Sequence, residues 1–351
     1  MKALIAMSGG VDSSVAALLM EGYDRVGCTM RLFDAEETGE KHESTCCSLE
    51  DVEDARAVCR RMGIPYYVFN FKDDFEDKII KKFVDSYRRG LTPNPCIDCN
   101  RYMKFDKLYD RARELGCDVI VTGHYARIEE QDGRYVLKKA VDPSKDQSYV
   151  LYSLTQEQLA HTRFPLGGLT KDEVRRIAAE HGFINAAKPD SQDICFVPDG
   201  DYAAFIERCS GAVETGDFVT CDGRVLGRHK GITHYTVGQR KHLGISVGEP
   251  IYVVCISAED NTVVLGGSDA LFRKECTVED FNWISGEVPA APIRCKAKTR
   301  YRQTEQPCTA SVNADGTVSL TFDTPIRAIT PGQAAVLYDG EVVLGGGVIV
   351  G

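Results

Sequence analysis

The sequence has few long apolar runs and an excess of acidic over basic side chains. No apolar run in its 351 residues approaches the about 18 residues of a membrane-spanning helix. The N-terminus also lacks the basic flank and the small-residue cleavage site of a signal peptide, so we expect a cytoplasmic protein with no membrane contact. The formal charge of −10 disfavours coating a nucleic acid with the whole surface, so any nucleic acid would bind a confined patch.

Several short motifs are missing as well. The glycine-containing run near the N-terminus has neither the spacing of a P-loop, G-x-x-x-x-G-K-[ST], nor the G-x-G-x-x-G of a dinucleotide site. The C-x-x-C pair, Cys96 and Cys99, lacks the second pair or histidines that would complete a structural zinc site. The fourteen cysteines are scattered through a long chain, so we expect most to be buried, reduced and inert, with Cys28, Cys117 and Cys255 on core faces.

The N-terminal run that is present predicts a phosphate site. An apolar segment, residues 3–7, leads into Ser8-Gly9-Gly10-Val11-Asp12-Ser13-Ser14, and residues 15–20 then have a helical pattern. Glycines let the backbone approach an anion, and hydroxyls, N–H groups and the helix N-terminus attract it. The alternative is an ordinary strand-to-helix turn with a serine cap, which needs one hydroxyl rather than three.

The first part of the chain alternates apolar runs with amphipathic ones. The predicted strands are residues 26–33, 66–70 and 118–123, and the predicted helices are residues 49–62, 75–89 and 105–115. This alternation is typical of a doubly wound α/β domain with a parallel sheet, in which ligands collect at the carboxyl ends of the strands. The phosphate run, Met30 and Gly123-His124 all fall at such ends.

From about Gly211 onward, short β-like runs separated by glycine turns replace the long helical pattern. We therefore predict three domains. They are a catalytic α/β domain over residues 1–208, a small mixed α/β domain over residues 209–272 and a C-terminal β-barrel over residues 273–351.

The last domain contains an unusual basic segment, residues 294–302. On a strand its alternate side chains would form one stripe of Arg294, Lys296, Lys298, Arg300 and Arg302. A phosphate backbone would neutralise such a stripe, which favours RNA binding. The alternative is a solvated edge strand protected by its lysines.

Two cysteine-containing stretches are candidates for chemistry. Residues 91–100 predict a proline-stiffened loop joining two helices, and Cys96 and Cys99 within it are either a redox pair or one catalytic thiol beside a bystander. Cys195 follows a polar run and precedes Phe196, a context that by itself favours a buried structural thiol.

The phosphate run resembles the SGGxDS loop of the N-type ATP pyrophosphatases, which cleave ATP between the α- and β-phosphates and adenylylate a substrate oxygen. The resemblance implies that Ser8, Gly9, Gly10 and Ser13 hold pyrophosphate and that Asp12 lies near Mg²⁺. Amidating synthetases, lysidine synthetases and thiolases share this loop, so it leaves the substrate open.

The chain as a whole resembles the tRNA-specific 2-thiouridylases of the MnmA type. The matching motifs occur in order from end to end, at residues 7–14, 92–95 with 99–100, 122–126, 145–149, 191–196, 235–241, 300–302 and 330–333. The resemblance implies an adenine nucleotide α-hydrolase-like, Rossmann-like catalytic domain. It also implies ATP-dependent 2-thiolation of the wobble uridine of tRNA.

The resemblance assigns the nucleotide site and the catalytic thiols. ATP would contact Ala6, Met7, Ser8, Gly9, Gly10, Val11, Asp12, Ser13, Met30 and Gly123. The O2 atom of the wobble uracil would attack the α-phosphate, Cys195 would carry sulfur as a persulfide, and Cys99 would be the partner nucleophile. A Cys99–Cys195 disulfide would then form and require reduction. A thiolate is a strong nucleophile near neutral pH, which suits both roles.

The resemblance also implies partners. These are tRNA with an unmodified wobble uridine, and a sulfur-relay protein or cysteine desulfurase as sulfur donor. The implied tRNA contacts are Asn94, Pro95, Cys96, His124, Lys145, Asp146, Gln147, Arg300, Tyr301 and Gln333. An anticodon-loop uridine is unpaired, so moving it into a pocket costs little.

The sequence departs from common forms of the family at two positions. Cys96 stands where many members have aspartate, and His242 stands where glycine is frequent. Cys96 raises an alternative in which Cys96, Cys99 and Cys195 hold an iron–sulfur cluster with an open iron that binds sulfide.

Two other functions remain open from the sequence. One is a small-molecule N-type ATP pyrophosphatase, such as an amidating ligase, which would leave the basic segment without a purpose. The other is a catalytically idle tRNA-binding protein, although Asp12, Cys99 and Cys195 are all present.

Overall fold

The computed structural model describes residues 1–33, 49–189, 194–245 and 248–350. The strands of the first part of the chain are β1 (Lys2–Ala6), β2 (Asp24–Arg31), β3 (Tyr66–Asn70), β4 (Val119–Val121), β5 (Ala126–Gln131), β6 (Arg134–Lys139) and β7 (Thr162–Arg163). Five of them form a parallel sheet in the order β3-β2-β1-β4-β7, while β5 and β6 form a separate antiparallel hairpin.

Helices cover both faces of the parallel sheet. They are α1 (Val11–Leu19), α2 (Leu49–Arg61), α3 (Lys72–Phe75), α4 (Lys81–Arg88), α5 (Pro95–Asp98), α6 (Leu108–Glu114), α7 (Gln156–Ala160), α8 (Lys171–Glu180) and α9 (Tyr202–Ser210). Side chains of β1 alternate between the two faces, so Ala3 and Ile5 pack with α1, α2 and α8, whereas Leu4 packs with α3 to α6. The predicted doubly wound α/β domain is confirmed.

Two of these helices continue through π-helical segments. Glu76–Ile80 joins α3 to α4, and Cys99–Lys107 joins α5 to α6. The second helix begins at Pro95, so the prediction of a loop through residue 100 was wrong. Asn94 is the N-cap, its side chain accepts a hydrogen bond from Cys96 N at 3.1 Å, and Pro95 takes the first helical position, where its missing N–H costs nothing.

The middle of the chain forms a small sheet. Its strands are β8 (Gly216–Thr220), β9 (Val225–His229), β10 (Tyr252–Ser257) and β11 (Thr262–Gly266), in the order β10-β11-β8-β9. Cys28 and Cys117 are buried as predicted, but Cys255 is exposed. A β-bulge between Val253 and Cys255 breaks the alternation of β10 and turns Cys255 away from the face that buries Val253.

The last part of the chain is a closed antiparallel barrel, as predicted. Its strands are β12 (Phe272–Trp283), β13 (Ile293–Lys298), β14 (Gln306–Val312), β15 (Val318–Arg327), β16 (Ala334–Asp339) and β17 (Val342–Ile349). They follow the order β12-β15-β14-β13-β16-β17, and pairing of β12 with β17 closes the barrel. The hairpin of the first domain adjoins the barrel, since Lys138 of β6 pairs with Val342 of β17.

The basic stripe differs from its prediction. β13 ends at Lys298, so Arg300 and Arg302 lie beyond the strand and do not continue the stripe. The edge-strand alternative is wrong too, because β13 lies between β14 and β16. Within the stripe, Arg294 pairs with Asp323 across the sheet at 2.8 Å, whereas Lys296 points to solvent.

Among the described residues, no helix is both long and apolar enough to cross a membrane.

Candidate functional site

The phosphate loop lies between β1 and α1, at the carboxyl edge of the parallel sheet. Ser13 organises it: its Oγ accepts a hydrogen bond from Ser8 N at 3.1 Å and donates to Gly10 O at 3.0 Å. Ser14 Oγ also donates to Gly10 O at 3.0 Å. Gly10 is the N-cap of α1 and no side chain caps the helix, so a plain serine cap does not explain the hydroxyls. The N–H groups at the start of α1 suit an anion.

Gly9 allows the loop to pack tightly. Its φ is +75°, and a Cβ atom there would lie 2.5 Å from the carbonyl oxygen of Asp51 on α2. Asn185 fixes the other side, since its Nδ2 donates to Gly9 O at 2.8 Å and to Ser14 Oγ at 2.9 Å. Lys188 pairs with Asp51 at 2.8 Å, so the segment after α8 braces both the loop and the helix behind it.

Asp12 is held by two partners from distant parts of the chain. Lys171 Nζ lies 2.7 Å from Oδ1 and 2.8 Å from Oδ2 of Asp12, and Tyr125 OH donates to Oδ1 at 2.8 Å. The Lys171 side chain is 9% exposed and the Asp12 side chain 31% exposed. A salt bridge therefore lies at the base of the phosphate loop.

The remaining nucleotide candidates line the same edge. Gly123 follows β4 so closely behind the loop that a Cβ atom there would lie 2.9 Å from Asp12 C and from Ser13 N. Met7 is buried, and its carbonyl oxygen accepts a hydrogen bond from Thr29 Oγ1 at 2.7 Å. Met30 on β2 and Ala6 on β1 are half-buried at the strand ends. The structure thus brings these candidates together around the loop.

Cys99 and Cys195 are 96 positions apart in the sequence, yet both pack against the same hydrophobic core. Both are half-buried, whereas Cys96 is exposed. Cys99 begins the π-helical segment. Cys195 lies in a turn that a hydrogen bond from Val197 N to Ile194 O closes at 2.9 Å. Residues 191–193 of the same motif lie outside the described residues.

Phe196 anchors the turn that carries Cys195. Its ring is 1% exposed and makes edge-on contacts with Phe75 and Phe83 and a tilted contact with Phe205. These ring contacts bury Phe196 but not its neighbour Cys195, whose side chain is half-exposed.

His124 is buried rather than displayed. It is 6% exposed, its ring packs against Phe105 and Phe164, and its Nδ1 lies 2.7 Å from Thr122 Oγ1. Burial, with the nearby charge of Lys104, holds the pKa of His124 well below its usual value, so the imidazole is neutral at physiological pH. In this conformation His124 offers no surface for direct contact with tRNA.

Residues 145–147 connect the first domain to the barrel. Asp146 accepts hydrogen bonds from Ala140 N and Ser148 Oγ, at 3.1 and 2.9 Å, and lies 3.8 Å from Lys298 Nζ. Gln147 exchanges hydrogen bonds with the backbone of Tyr125. Asp146 and Gln147 therefore shape the surface around the half-buried Lys145.

Tyr301 lies between that connection and Cys96. Its OH donates to Asp146 O at 3.3 Å. Burial raises the pKa of Tyr301, and the neighbouring Asp146 and Cys96 side chains raise it further. Tyr301 itself is 37% exposed and is available to stack on a base.

Arg300 and Gln333 make contacts within the protein. The Arg300 guanidinium donates to Val237 O at 2.8 Å and to Ala328 O at 3.3 Å. Gln333 Nε2 donates to Thr92 O at 2.7 Å, so the barrel supports the segment that precedes Asn94 and Pro95. These two candidates hold the predicted tRNA-contacting elements together.

Within the described ranges, no group of three or more His, Cys, Asp or Glu side chains is arranged to hold a metal ion. Cys96, Cys99 and Cys195 therefore do not fit an iron–sulfur cluster here.

Sequence reasoning missed Lys171, Asn185 and Lys104. Lys171 and Asn185 contact the phosphate loop from more than 150 positions away, and no local pattern marks them. Lys104 lies five positions after Cys99, a spacing that brings two side chains to the same side of a π-helix but not of an α-helix.

Three family models match consecutive parts of the chain. They are described as the tRNA methyl transferase HUP domain over residues 1–199, the tRNA methyl transferase PRC-barrel domain over residues 203–267 and the aminomethyltransferase beta-barrel domain over residues 273–349.

Curated relatives match the chain over nearly its whole length. A protein named tRNA-specific 2-thiouridylase MnmA from Clostridioides difficile is 51% identical, covering 99% of this chain and 98% of its own. One of the same name from Acetivibrio thermocellus is 52% identical, covering 99% of both chains. A third, from Symbiobacterium thermophilum, is 49% identical, covering 99% of this chain and 92% of its own.

Proposed function

Because this chain belongs to the family of tRNA-specific 2-thiouridylases of the MnmA type, we propose that its loop, its two half-buried cysteines and its barrel together perform that reaction. The chain is an ATP-dependent sulfurtransferase that converts the wobble uridine of tRNA to 2-thiouridine. The observation that carries this function is the match to relatives at about half identity over 99% of the chain. The domain division at residues 208 and 272 belongs to the same proposal.

The activation step takes place at the phosphate loop. Ser8, Gly9, Gly10 and Ser13 hold the pyrophosphate part of ATP, while Ala6, Met7, Val11, Met30 and Gly123 line the nucleotide. The O2 atom of uracil attacks the α-phosphate, the bond to the β-phosphate breaks, and pyrophosphate leaves. Loop N–H groups and the N-terminus of α1 stabilise the charge that develops on pyrophosphate. Mg²⁺ bound near Asp12 would supply further charge neutralisation.

The sulfur transfer uses both cysteines. The terminal sulfur of a Cys195 persulfide attacks C2 of the adenylylated base, and AMP leaves. Cys99 thiolate then attacks the Cys195 sulfur, which breaks the S–S bond, leaves sulfur on C2 and forms a Cys99–Cys195 disulfide. An external thiol reduces that disulfide. The packing of both cysteines on one core supports this division of roles, and a sulfur-relay protein or cysteine desulfurase loads Cys195.

The tRNA lies across the seam between the first domain and the barrel. Asn94, Pro95 and Cys96 at the start of α5 hold the target base, with Tyr301 and Lys145 beside them. Asp146, Gln147, Arg300 and Gln333 position these groups through the contacts described above. His124 acts from beneath the surface, since it is 6% exposed.

The test is thiouridine formation on unmodified tRNA with ATP, Mg²⁺ and a persulfide donor. The protein is prepared without oxygen and its iron content measured. We expect Cys99→Ser and Cys195→Ser to reduce product to background, because each removes one thiolate that the transfer needs. Cys96→Asp should retain activity, and Cys209→Ser, which changes an exposed cysteine on α9, is the matched control.

Two outcomes would contradict parts of the proposal. Activity that follows iron content and falls with Cys96→Asp would replace the persulfide by a cluster mechanism. Pyrophosphate release without any thiouridine, or release that needs no tRNA, would support a small-molecule ligase instead, and tRNA binding without pyrophosphate release an idle binding protein.

A further inference from the structure

The π-helical segment changes which side chain lies beside Cys99. In an α-helix, with about 100° per residue, residues five positions apart point about 140° away from each other. A π-helix instead bonds each residue to the fifth along the chain, so residues five apart lie nearly above one another. Cys99–Lys107 is π-helical. Lys104 therefore lies on the same side of the helix as Cys99, one turn further along.

The Lys104 ammonium is directed toward the carboxyl edge of the parallel sheet. Its Nζ lies 3.5 Å from His124 Nε2. A lysine ammonium only donates, so Nε2 must carry the lone pair and Nδ1 the proton, which donates to Thr122 Oγ1 at 2.7 Å. A neutral His124 thus holds Lys104 from one side without neutralising its charge.

This position lies next to the phosphate loop. Gly123, between Thr122 and His124, packs on the backbone of Asp12 and Ser13, where an added Cβ would approach to 2.9 Å. In the part of the chain that the structure describes, no carboxylate lies within ion-pair distance of Lys104, whereas Lys107 on the same helix pairs with Asp74 at 2.9 Å. A half-buried cation with spare donors, held by the histidine that follows Gly123, suits an anion of the substrate.

We propose that Lys104 contacts the α-phosphate of the bound nucleotide, both in ATP and in the adenylylated uridine. This inference rests on the proposed function, since it assigns a substrate atom within the same site. The α-phosphate is the group that the loop must present to the uracil oxygen, and it stays in the site after pyrophosphate leaves. Lys104 balances its charge from the side of the helix that carries Cys99.

The test compares AMP with adenosine, two probes that differ by the α-phosphate alone. Both are titrated calorimetrically into the wild-type full-length protein and into Lys104→Met, Lys104→Arg and the matched control Lys107→Met. We expect the wild type and Lys107→Met to bind AMP at least about tenfold more tightly than adenosine. Lys104→Met should lose most of that preference while its affinity for adenosine is unchanged, and Lys104→Arg should keep part of it.

The outcomes separate this inference from the proposed function. A Lys104→Met protein that keeps the full preference for AMP overturns the contact, whatever its thiolation activity. Equal loss of AMP and adenosine affinity also overturns it, since that pattern indicates a structural role. A wild type that binds neither AMP nor adenosine, and does not bind ATP titrated in the same way, contradicts the proposed function itself.

Discussion

Lys171 and Asp12 form a salt bridge that connects α8 to the phosphate loop. The Lys171 side chain is 9% exposed, so removing it leaves the Asp12 carboxylate without its cation in a partly dry environment. Removing one partner of a fully buried pair costs about 3–5 kcal/mol, and the 31% exposure of Asp12 lowers our expectation to about 2 kcal/mol. We expect Lys171→Met to lower the free energy of unfolding by that amount in urea titrations.

A double variant tests whether the unpaired charge of Asp12 causes this loss of stability. Asp12→Asn together with Lys171→Met should recover part of the loss, because it removes the unpaired charge. Arg176→Met is the control on the same helix, since its pair with Glu180 is mostly exposed and contributes little. A Lys171→Met protein as stable as the Arg176→Met control would show that the salt bridge does not stabilise the fold.

The loop between β15 and β16 supports the start of α5 through Gly332. Thr92 N donates to Pro331 O at 2.9 Å, and a Cβ on Gly332 would lie 2.8 Å from Thr92 N. Gly316 has a similar φ, +84° against +88°, but nothing lies within 4 Å of its Cβ position. Alanine at either position must adopt the left-handed backbone conformation, which costs about 1–2 kcal/mol of stability. We expect Gly332→Ala to be less stable than Gly316→Ala by about a further 1–2 kcal/mol.

The same pair of variants also reports on tRNA. Gly332→Ala should weaken tRNA binding, because displacement of Thr92 moves Asn94 and Pro95, while ATP binding stays near that of Gly316→Ala. Filter binding with labelled tRNA and calorimetry with ATP provide the two measurements. Equal stability and equal tRNA affinity of the two variants would contradict the supporting role of the barrel loop.

At the scale of elements, local patterns predicted the parallel sheet well because each strand and its neighbouring helix bury regular apolar faces. The start of α5 was missed although Asn94 and Pro95 are a capping residue and a first-turn proline, because the prolines were taken as loop residues. The basic stripe was predicted to continue past Lys298 because the sequence shows only the alternation of side chains. In the structure Thr299 N donates to Gln303 Oε1 at 2.9 Å instead of to a neighbouring strand, and the strand ends there. The phosphate loop is local and was predictable, while Lys171 and Asn185 reach it only through the tertiary fold.

At the scale of the whole molecule, the three parts of the chain are connected by hydrogen bonds between side chains and backbone. Arg88 of α4 donates to Ser210 O at 3.0 Å, and Arg300 of the barrel donates to Val237 O at 2.8 Å. The Arg300 guanidinium is half-buried among these contacts, whereas Arg88 is exposed and keeps further donors toward solvent. Because the chain has a formal charge of −10, we expect tRNA to bind a confined patch of exposed cations rather than the whole surface.

Lys296 and Arg300 distinguish exposed from internal cations in tRNA binding. Lys296 points to solvent from β13, so Lys296→Met should make the plot of log affinity against log salt concentration shallower by up to about one unit. Arg300→Met should leave that slope unchanged but lower the free energy of unfolding by about 2 kcal/mol, because it leaves the backbone carbonyl of Val237 without its donor, whereas Ala328 O keeps the hydroxyl of Thr330 as a donor. Salt titrations of tRNA binding and urea unfolding of both variants provide the comparison. A shallower slope for Arg300→Met with unchanged stability would mean that the guanidinium turns outward to meet a phosphate when tRNA binds. The surface around Arg300 would then contact RNA directly rather than support the residues that do.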